Sequence, residues 1–350
     1  MKRLASRSFA FGAIPAICLL LSSAAGAEAQ GLTVTGYADF EMRLDDIGSA
    51  DKKFYFDQYH FNLIMVGTIT DDLFVAFEGE YEHAGEEITM EYGYFGYTGF
   101  DDINILVGKF IVPFGRFNKD LHPTPINRVP DRPHGFSDIL PQTYNDVGLW
   151  VTGAKAVGAD NRVVFDLFAV NGLTGNDGAG IRGMRDNDRE NASFGRDDDK
   201  ALGGRLGFEA PYTGFDIGAS VYTGKYAESA VGESLRLTLL GVDGSYQRDG
   251  LTLRGELVRA SQDATGGDLT KTGGYAQASY LLDNGIVEPV VRFSTKNMPG
   301  DGLDQSRFSA GVSLYVSASS SVRLAYSVNT EKSGFEADNN TFVAQFNVIF

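Results

Sequence analysis

The sequence has little of what disulfide-stabilised proteins and many enzymes use. It contains one cysteine, Cys18, and four histidines among 350 residues. A single cysteine excludes an internal disulfide framework, and none of the histidines has a spacing typical of a zinc site. We also find no convincing pairing of a nucleophile with a general base. The sequence therefore predicts a protein that is not an enzyme and that has no metal and no cofactor.

Long hydrophobic runs are missing from most of the chain. The one extended apolar run, from Phe9 to Leu21, follows three basic residues and is shorter than the ~20 residues of a membrane helix. Small residues up to Ala29 come next, which completes the pattern of a cleaved secretory signal peptide. We predict that residues 1–29 are removed and that residues 30–350 form a single domain without disulfides.

The charge and composition narrow the class of protein further. The formal net charge is −16, and a chain this acidic repels nucleic acid, which we exclude as a partner. Proline is scarce (10 residues), whereas glycine (43), phenylalanine (25) and tyrosine (16) are abundant. With no leucine-rich helical heptads, this composition is typical either of an acidic secreted β-protein or of an outer-membrane barrel.

Apolar and polar residues alternate with a period of two along most of the chain. The last segment shows this best, with Phe342, Phe346 and Phe350 on one side and Gln345 and Asn347 on the other. A period of two places alternate side chains on opposite faces of a β-strand. About sixteen predicted strands lie near 31–43, 54–69, 73–83, 88–98, 102–112, 144–157, 162–171, 201–210, 214–227, 234–247, 251–262, 271–282, 286–297, 303–316, 321–331 and 340–350.

The connections between these segments alternate between short and long. Short ones such as Asp249-Gly250 have tight-turn compositions, whereas the long ones include 113–143 and 172–200. Short turns on one rim and long loops on the other are typical of outer-membrane barrels, and lipid requires closure because it offers strand edges no hydrogen bonds. The sequence thus predicts an all-β, closed antiparallel transmembrane β-barrel of about 16 strands in a Gram-negative outer membrane. Its surroundings would be lipid and lipopolysaccharide, with both termini periplasmic.

Charged residues of the strands lie opposite the apolar ones. An outward Arg or Lys near the membrane midplane would cost about 2–4 kcal/mol, so we expect these charges inside the barrel. Opposed charges could create a transverse field that orients solutes and screens ions; alternatively, they only pair with neighbours and keep the lumen wet. The predicted acidic lining is Asp39, Glu41, Glu78, Glu80 and Glu82, and the predicted basic lining is Arg205, Arg236, Arg254, Arg292, Arg307 and Arg323.

The segment 113–143 combines rigidity with apolar content. It holds six of the ten prolines, together with several Phe and Ile residues. Long loops of this kind are usually functional, and disordered segments rarely carry so many apolar residues. We predict a constriction loop folded into the barrel; the alternative is a loop packed over its mouth. The charged residues expected at the constriction are Lys109, Arg116, Lys119, Asp120, Arg128, Asp131 and Arg132.

Residues 108–115, Gly-Lys-Phe-Ile-Val-Pro-Phe-Gly, carry a family resemblance. They resemble the Gly-Gln/Lys-x-x-x-Pro-Phe segment of the phosphate-selective porin O and P family, in which it leads from a strand into the loop that enters the pore. The terminal Phe350 is similar to the signal by which the barrel-assembly machinery recognises its substrates. The resemblance implies a homotrimer of water-filled channels for passive diffusion of small hydrophilic solutes or ions. A preference for anions or phosphate would be expected, although this chain lacks the lysine cluster of the phosphate-selective members.

A second class of function remains open at the level of sequence. A structural or adhesive barrel would have long loops that act at the cell surface and a blocked lumen. The two hypotheses differ in whether a continuous wet path passes the segment 113–143.

Overall fold

The computed structural model describes residues 31–121, 123–136, 139–141, 143–178, 181–182, 200–300 and 303–350. The predicted signal peptide, residues 1–29, lies outside the described residues. The strands are β1 (Leu32–Ile47), β2 (Lys53–Thr68), β3 (Leu73–Glu82), β4 (Glu87–Phe100), β5 (Ile103–Ile111), β6 (Asn145–Val157), β7 (Asn161–Val170), β8 (Thr174–Gly175), β9 (Ile181–Arg182), β10 (Ala201–Ala210), β11 (Phe215–Glu228), β12 (Ser234–Arg248), β13 (Leu251–Gln262), β14 (Leu269–Tyr280), β15 (Val287–Asn297), β16 (Gln305–Ser317), β17 (Ser320–Glu331) and β18 (Asn340–Ile349).

Sixteen of these strands form one closed antiparallel barrel, which confirms the predicted fold. Each strand pairs with its neighbours in sequence, β7 pairs with β10, and β1 closes the ring on β18. The closed ring leaves no strand edge unpaired, as a barrel in lipid requires. The remaining strands, β8 and β9, form a separate two-stranded sheet that the sequence did not predict.

The two rims of the barrel differ in the length of their connections. The rim that carries both ends of the barrel has tight turns such as 101–102, 249–250 and 318–319. The opposite rim carries the long connections 112–144 and 171–200. Helical structure among the described residues includes a 3-10 turn at His83–Gly85 and a π-helical turn at Phe117–Leu121. No helix in this part of the chain is long and apolar enough to cross a membrane.

The outer surface of the barrel is apolar. Leu257, Phe293 and Phe308 leave 61%, 51% and 49% of their surface exposed, while the residues that alternate with them along each strand are more deeply buried. Many large apolar residues share this outward orientation on most strands. An exposed apolar surface of this extent marks contact with a membrane or a partner.

Part of the space enclosed by the barrel, the lumen, is filled by a hydrophobic cluster. Inward-facing Phe110 and Trp150 stack there with ring centroids 5.5 Å apart. Tyr222 of β11 and Leu237 of β12 belong to the same cluster, as does Phe114 of the segment after β5. The lumen is therefore partly a protein core and not a uniformly wet space.

Candidate functional site

The segment 113–143 between β5 and β6 lies inside the barrel; we call it the inner loop. Phe114, Phe117 and Leu140 are buried, and their partners lie on the inward faces of strands around the ring. At its base, the amide of Asn118 donates to the carbonyls of Val112 and Tyr144, 2.9 and 3.0 Å away, and accepts from the Tyr144 N–H at 2.8 Å. These bonds hold the two ends of the inner loop together.

A glycine allows the inner loop to enter the lumen. Gly115 has a φ of +64°, and a Cβ atom built there would lie 1.8 Å from Oε1 of Glu256 on β13. Glu256 is buried and accepts hydrogen bonds from the N–H groups of Arg116 (3.2 Å) and Phe117 (2.8 Å). Only glycine combines this backbone conformation with so close an approach to the carboxylate.

Aromatic rings anchor the inner loop farther along. Phe117 and Phe136 pack on each other at 5.3 Å and on Tyr275 of β14 at 5.8 and 5.7 Å. Next to them, the backbone of Gly135 approaches Gly273 of β14 so closely that a Cβ on either glycine would crowd the other residue. The backbone contact and the aromatic packing both fix the inner loop to the wall.

Arginines of the later strands hold the backbone of the inner loop. Arg323 of β17 donates to the carbonyls of Thr124 and Pro125, and Arg292 of β15 donates to the carbonyl of Asp131 at 2.5 Å. Arg292 and Arg323 each expose only 1% of their surface. Both lie inside the barrel, where they are buried under the inner loop.

Asp131 connects the inner loop to an early strand, β1, and a late strand, β16. It forms ion pairs with Arg43 of β1 at 3.0 Å and with Arg307 of β16 at 3.8 Å. Burial acts to raise the pKa of Asp131, but the guanidinium groups of Arg43 and Arg307 outweigh it and hold this pKa below its usual range. Arg307 also donates to Asn329 at 2.7 Å.

The acidic residues of the early strands form a buried acidic wall. On it, Asn62 of β2 donates to Glu78 at 2.8 Å and to Glu80 at 3.0 Å. His60 of β2 lies 3.1 Å from Asp39. The members of the acidic wall, which each expose 7% or less, are Asp39, Glu41, Glu78, Glu80 and Glu82.

Gln345 of β18 joins the acidic wall to the arginines. It donates to Glu41 at 2.7 Å and to Asp39 at 3.2 Å, and its oxygen accepts from Arg323 at 3.1 Å. Because β18 lies between β1 and β17, the arginines of β15–β17 are neighbours of the acidic wall and do not face it across the lumen. Arg254 of β13 does face it, since β13 is eight places from β3 around the ring.

The other predicted basic residues have different environments. Arg205 is buried and forms a two-point ion pair with Asp243 at 2.5 and 2.9 Å. Arg254 is partly exposed on the inward face and forms no hydrogen bond with any other described residue of the chain. The prediction for Arg236 was wrong: it is exposed on the outward side of β12, because its neighbours Leu235 and Leu237 are buried inside the barrel.

The charged residues of the inner loop mostly pair with the wall. Lys119 binds Asp166 of β7 at 2.7 Å, and Arg132 donates to Thr143 at 2.9 Å. The remaining pairs are Arg128 with Glu288 (3.3 Å), Arg116 with Asp216, and Arg116 with Asp120 (3.9 Å).

The structure corrects the placement of Lys109. This residue lies within β5 and shares the outward parity of the exposed Val107, whereas the adjacent Phe110 is fully buried. Its ammonium group donates to the exposed backbone carbonyl of Met90 at 2.6 Å. Lys109 is therefore not part of the inner loop, and the alternation with Phe110 accounts for its orientation.

Several residues that organise this site were not among the site residues predicted from the sequence. Asn118, Gln345, Glu256 and Glu288 make the most consequential bonds among them. Gln345, Glu256 and Glu288 lie on strands, and the sequence offers one signal for them, which is a polar side chain at an inward position. For Asn118 the sequence holds no such signal, because its partners lie at the two ends of a long loop.

Only some of the charged side chains inside the barrel are exposed to water. The acidic wall is buried, whereas the side chains of Arg116 and Arg128 remain 27% and 18% exposed and Arg254 is partly exposed. Of the inner-loop carboxylates, Asp120 is 37% exposed and lies 3.9 Å from Arg116. Arg254 lies within electrostatic range of both Arg116 and Arg128. The exposed guanidinium groups can attract an anion electrostatically.

Comparisons with known proteins agree with the fold. No protein-family model matches the chain. A relative from Aquifex aeolicus, described only as an uncharacterized protein, is 26% identical over 205 residues, or 55% of this chain. The present chain spans 44% of that relative's length.

Among solved structures, the chain is similar to outer-membrane proteins that include porins. OmpF of Salmonella typhi, in complex with daunomycin, matches with 13% identity and a TM-score of 0.65 over 92% of this chain and 98% of that one. An anion-selective porin from Comamonas acidovorans matches with 12% identity and a TM-score of 0.62 over 92% and 100%. The trimer form of in-vitro folded OmpT from Vibrio cholerae matches with 12% identity and a TM-score of 0.61 over 92% and 100%. At these identities the likeness shows the fold, a porin-type barrel, and does not extend to the phosphate-selective family.

Proposed function

We propose that this protein is an outer-membrane porin for passive diffusion of small hydrophilic solutes or ions, with a preference for anions. One observation carries the proposal: a long loop is folded into the lumen of a sixteen-stranded barrel, and the arginines beside it remain accessible to water. A barrel of this size is too wide for wall side chains alone to fill it, so the inner loop sets its narrowest part.

The anion preference follows from which charges are sealed. The carboxylates of the acidic wall are buried, so they act on a solute less directly than Arg116, Arg128 and Arg254 do. Exposed positive charge in a narrow passage raises the local concentration of anions. Phosphate would be one such anion, and a general preference for small anions is the simpler expectation.

The proposal includes the location and assembly of the chain. The apolar outer surface supports insertion in the lipid and lipopolysaccharide of a Gram-negative outer membrane, with the signal peptide removed and both termini on the periplasmic side. We expect Phe350 to act in recognition by the barrel-assembly machinery. The trimer form of the Vibrio cholerae neighbour supports a homotrimer, and unheated gel electrophoresis of the detergent-extracted protein measures this.

Planar-bilayer recording tests the function directly. The purified protein should give ohmic single-channel steps, with a reversal potential in a KCl gradient that indicates anion preference. Folded protein that inserts but carries no current would overturn the porin proposal and favour a structural barrel with a blocked lumen. A cation-selective reversal potential would overturn the anion preference alone.

A further inference from the structure

A compact group of potential metal ligands lies on the acidic wall. His60 on β2 and Glu80 and Glu82 on β3 are all buried, and one ligand atom from each lies within 4.8 Å of the others. His60 pairs with Glu82 in the sheet register, and the next pair on the same face is Asn62 with Glu80. The ligands therefore come from two strands, which explains why no zinc spacing is visible along the sequence.

The orientation of His60 is that of a metal-binding imidazole. Its Nδ1 atom lies 3.1 Å from Oδ2 of Asp39, and its Nε2 atom lies 3.5 Å from Oε1 of Glu82. A carboxylate that accepts from one ring nitrogen fixes the tautomer and directs the other nitrogen at a metal ion, as in many zinc sites. Asp39 is thus placed to orient His60 toward the two glutamates.

A second observation, independent of this cluster, also points to a ligand. Asn62 is fully buried, and its side-chain oxygen has no hydrogen-bond partner among the described residues. The nitrogen of the same amide donates to Glu78 and Glu80, so the Asn62 side chain is in direct contact with a member of the cluster. An unsatisfied buried amide oxygen costs stability unless something binds it, and oxygen atoms of this kind ligate divalent cations.

The charge of the region favours a cation. Within the described part of the chain, no lysine or arginine forms an ion pair with Glu78 or Glu80, and Arg43 is engaged with Glu41 and Asp131. Buried carboxylates are normally paired or coordinate a metal. One imidazole nitrogen combined with carboxylate oxygens suits a zinc-type divalent ion better than magnesium.

We propose that His60, Glu80 and Glu82 bind a divalent transition-metal ion of the zinc type, with Asp39 orienting the imidazole and Asn62 supplying a further oxygen. The hydroxyl of Thr124 in the inner loop lies 3.0 Å from Nδ1 of His60. An ion on Nε2 would therefore also fix the wall against which the inner loop packs.

Isothermal titration of the purified, EDTA-treated full chain with Zn²⁺ tests this site. We expect one zinc ion per chain, and His60→Gln and the double variant Glu80→Gln/Glu82→Gln should lose this binding. Asp39→Asn should weaken it by about 10–100-fold, as the loss of an orienting carboxylate does elsewhere. His83→Gln is the matched control, because His83 also pairs with a carboxylate, Asp57, but is not part of the cluster.

Two results would overturn the proposal: no stoichiometric binding to the folded wild type, or equal loss of binding in His83→Gln. Heat-modifiable migration on gels identifies folded barrels, and Glu80→Gln, which preserves side-chain shape, carries the test if His60→Gln does not fold. Absorption by bound Co²⁺ in the wild type, absent from Glu80→Gln, gives a second readout. Neither measurement requires channel activity, so the result is independent of the porin proposal.

Discussion

On one side of the lumen, Glu78 and Glu80 are buried among hydrogen-bond partners; on the other, Arg254 and Arg128 reach water. Both sets are charged residues on inward-facing positions or on the loop packed against them. The difference arises because the inner loop covers the acidic wall together with Arg292 and Arg323, but leaves Arg254 of β13 accessible. A net charge of −16 therefore says little about the sign of the charge that a solute meets.

Removal of the inner loop should have the largest effect on the exposure of these two sets of charges. Deleting 118–138 takes away most of the mass that covers the acidic wall, so the carboxylates become accessible to the lumen. We expect single-channel conductance in planar bilayers to rise severalfold and the anion preference to fall. Deleting 333–337, an exposed part of another loop on the same rim, is the control. Unchanged conductance after the first deletion would place the inner loop outside the conducting path.

Gly115→Ala should loosen the entry of the inner loop without removing it. The positive φ alone costs a non-glycine residue about 1–2 kcal/mol, and the new Cβ would also overlap Glu256. Gly158→Ala is the matched control, because Gly158 has a φ of +69° and no atom within 4 Å of the added Cβ. In urea unfolding, Gly115→Ala should be clearly the less stable variant, with faster trypsin cleavage after Arg116. Equal stability of the two variants would argue against a tight contact with Glu256.

Arg254→Ala tests whether the accessible arginines set ion selectivity. Removing one charge several ångströms from a permeating anion should change its energy by on the order of 1 kcal/mol, or about fivefold in the permeability ratio. The reversal potential in a salt gradient should shift toward cations. Arg236→Ala, on the outer side of β12, should leave it unchanged. If both variants behave alike, Arg254 does not line the path.

Asp131→Asn should have the smallest effect, and it depends on pH. Because the native pKa of Asp131 is lowered, its ion pairs stabilise the barrel above the ordinary carboxyl pKa of about 3.9, and this contribution is lost as the pH falls through the native value. The variant should melt at a lower temperature than the wild type at pH 7, and the two melting temperatures should converge in acid. A constant difference at all pH values would exclude the ionised carboxylate as the cause.

The barrel could be predicted from the sequence because the patterns that define it involve residues close to each other along the chain. A period of two defines each strand, and alternating connection lengths define the two rims, as 101–102 and 112–144 illustrate. The inward position of Arg292 and Glu288 followed from parity, since Val291 and Phe293 alternate with them. These features depend on neighbours within a few residues of each other.

The content of the lumen could not be predicted in the same way. Parity assigns apolar residues to the outside only where the inside is wet, but Leu235 and Leu237 face inward and pack in the apolar cluster. Arg236 was misplaced for this reason. Likewise, the bonds of Asn118 and Glu256 depend on where the inner loop folds back, which joins residues more than a hundred positions apart in the case of Glu256.

The contact between β1 and β18, which closes the barrel, has a consequence for its biogenesis. Gly36 and Phe350 exchange backbone hydrogen bonds of 2.9 and 3.0 Å, and the Thr35 hydroxyl donates to the Phe350 carbonyl across 315 positions. Because the first strand can complete its pairing only with the last, the ring cannot close while the chain is still being synthesised. Contacts between such distant residues form slowly, and the exposed edges of β1 and β18 would meanwhile be prone to aggregation. We therefore expect the barrel to close only after both strands of this contact are available.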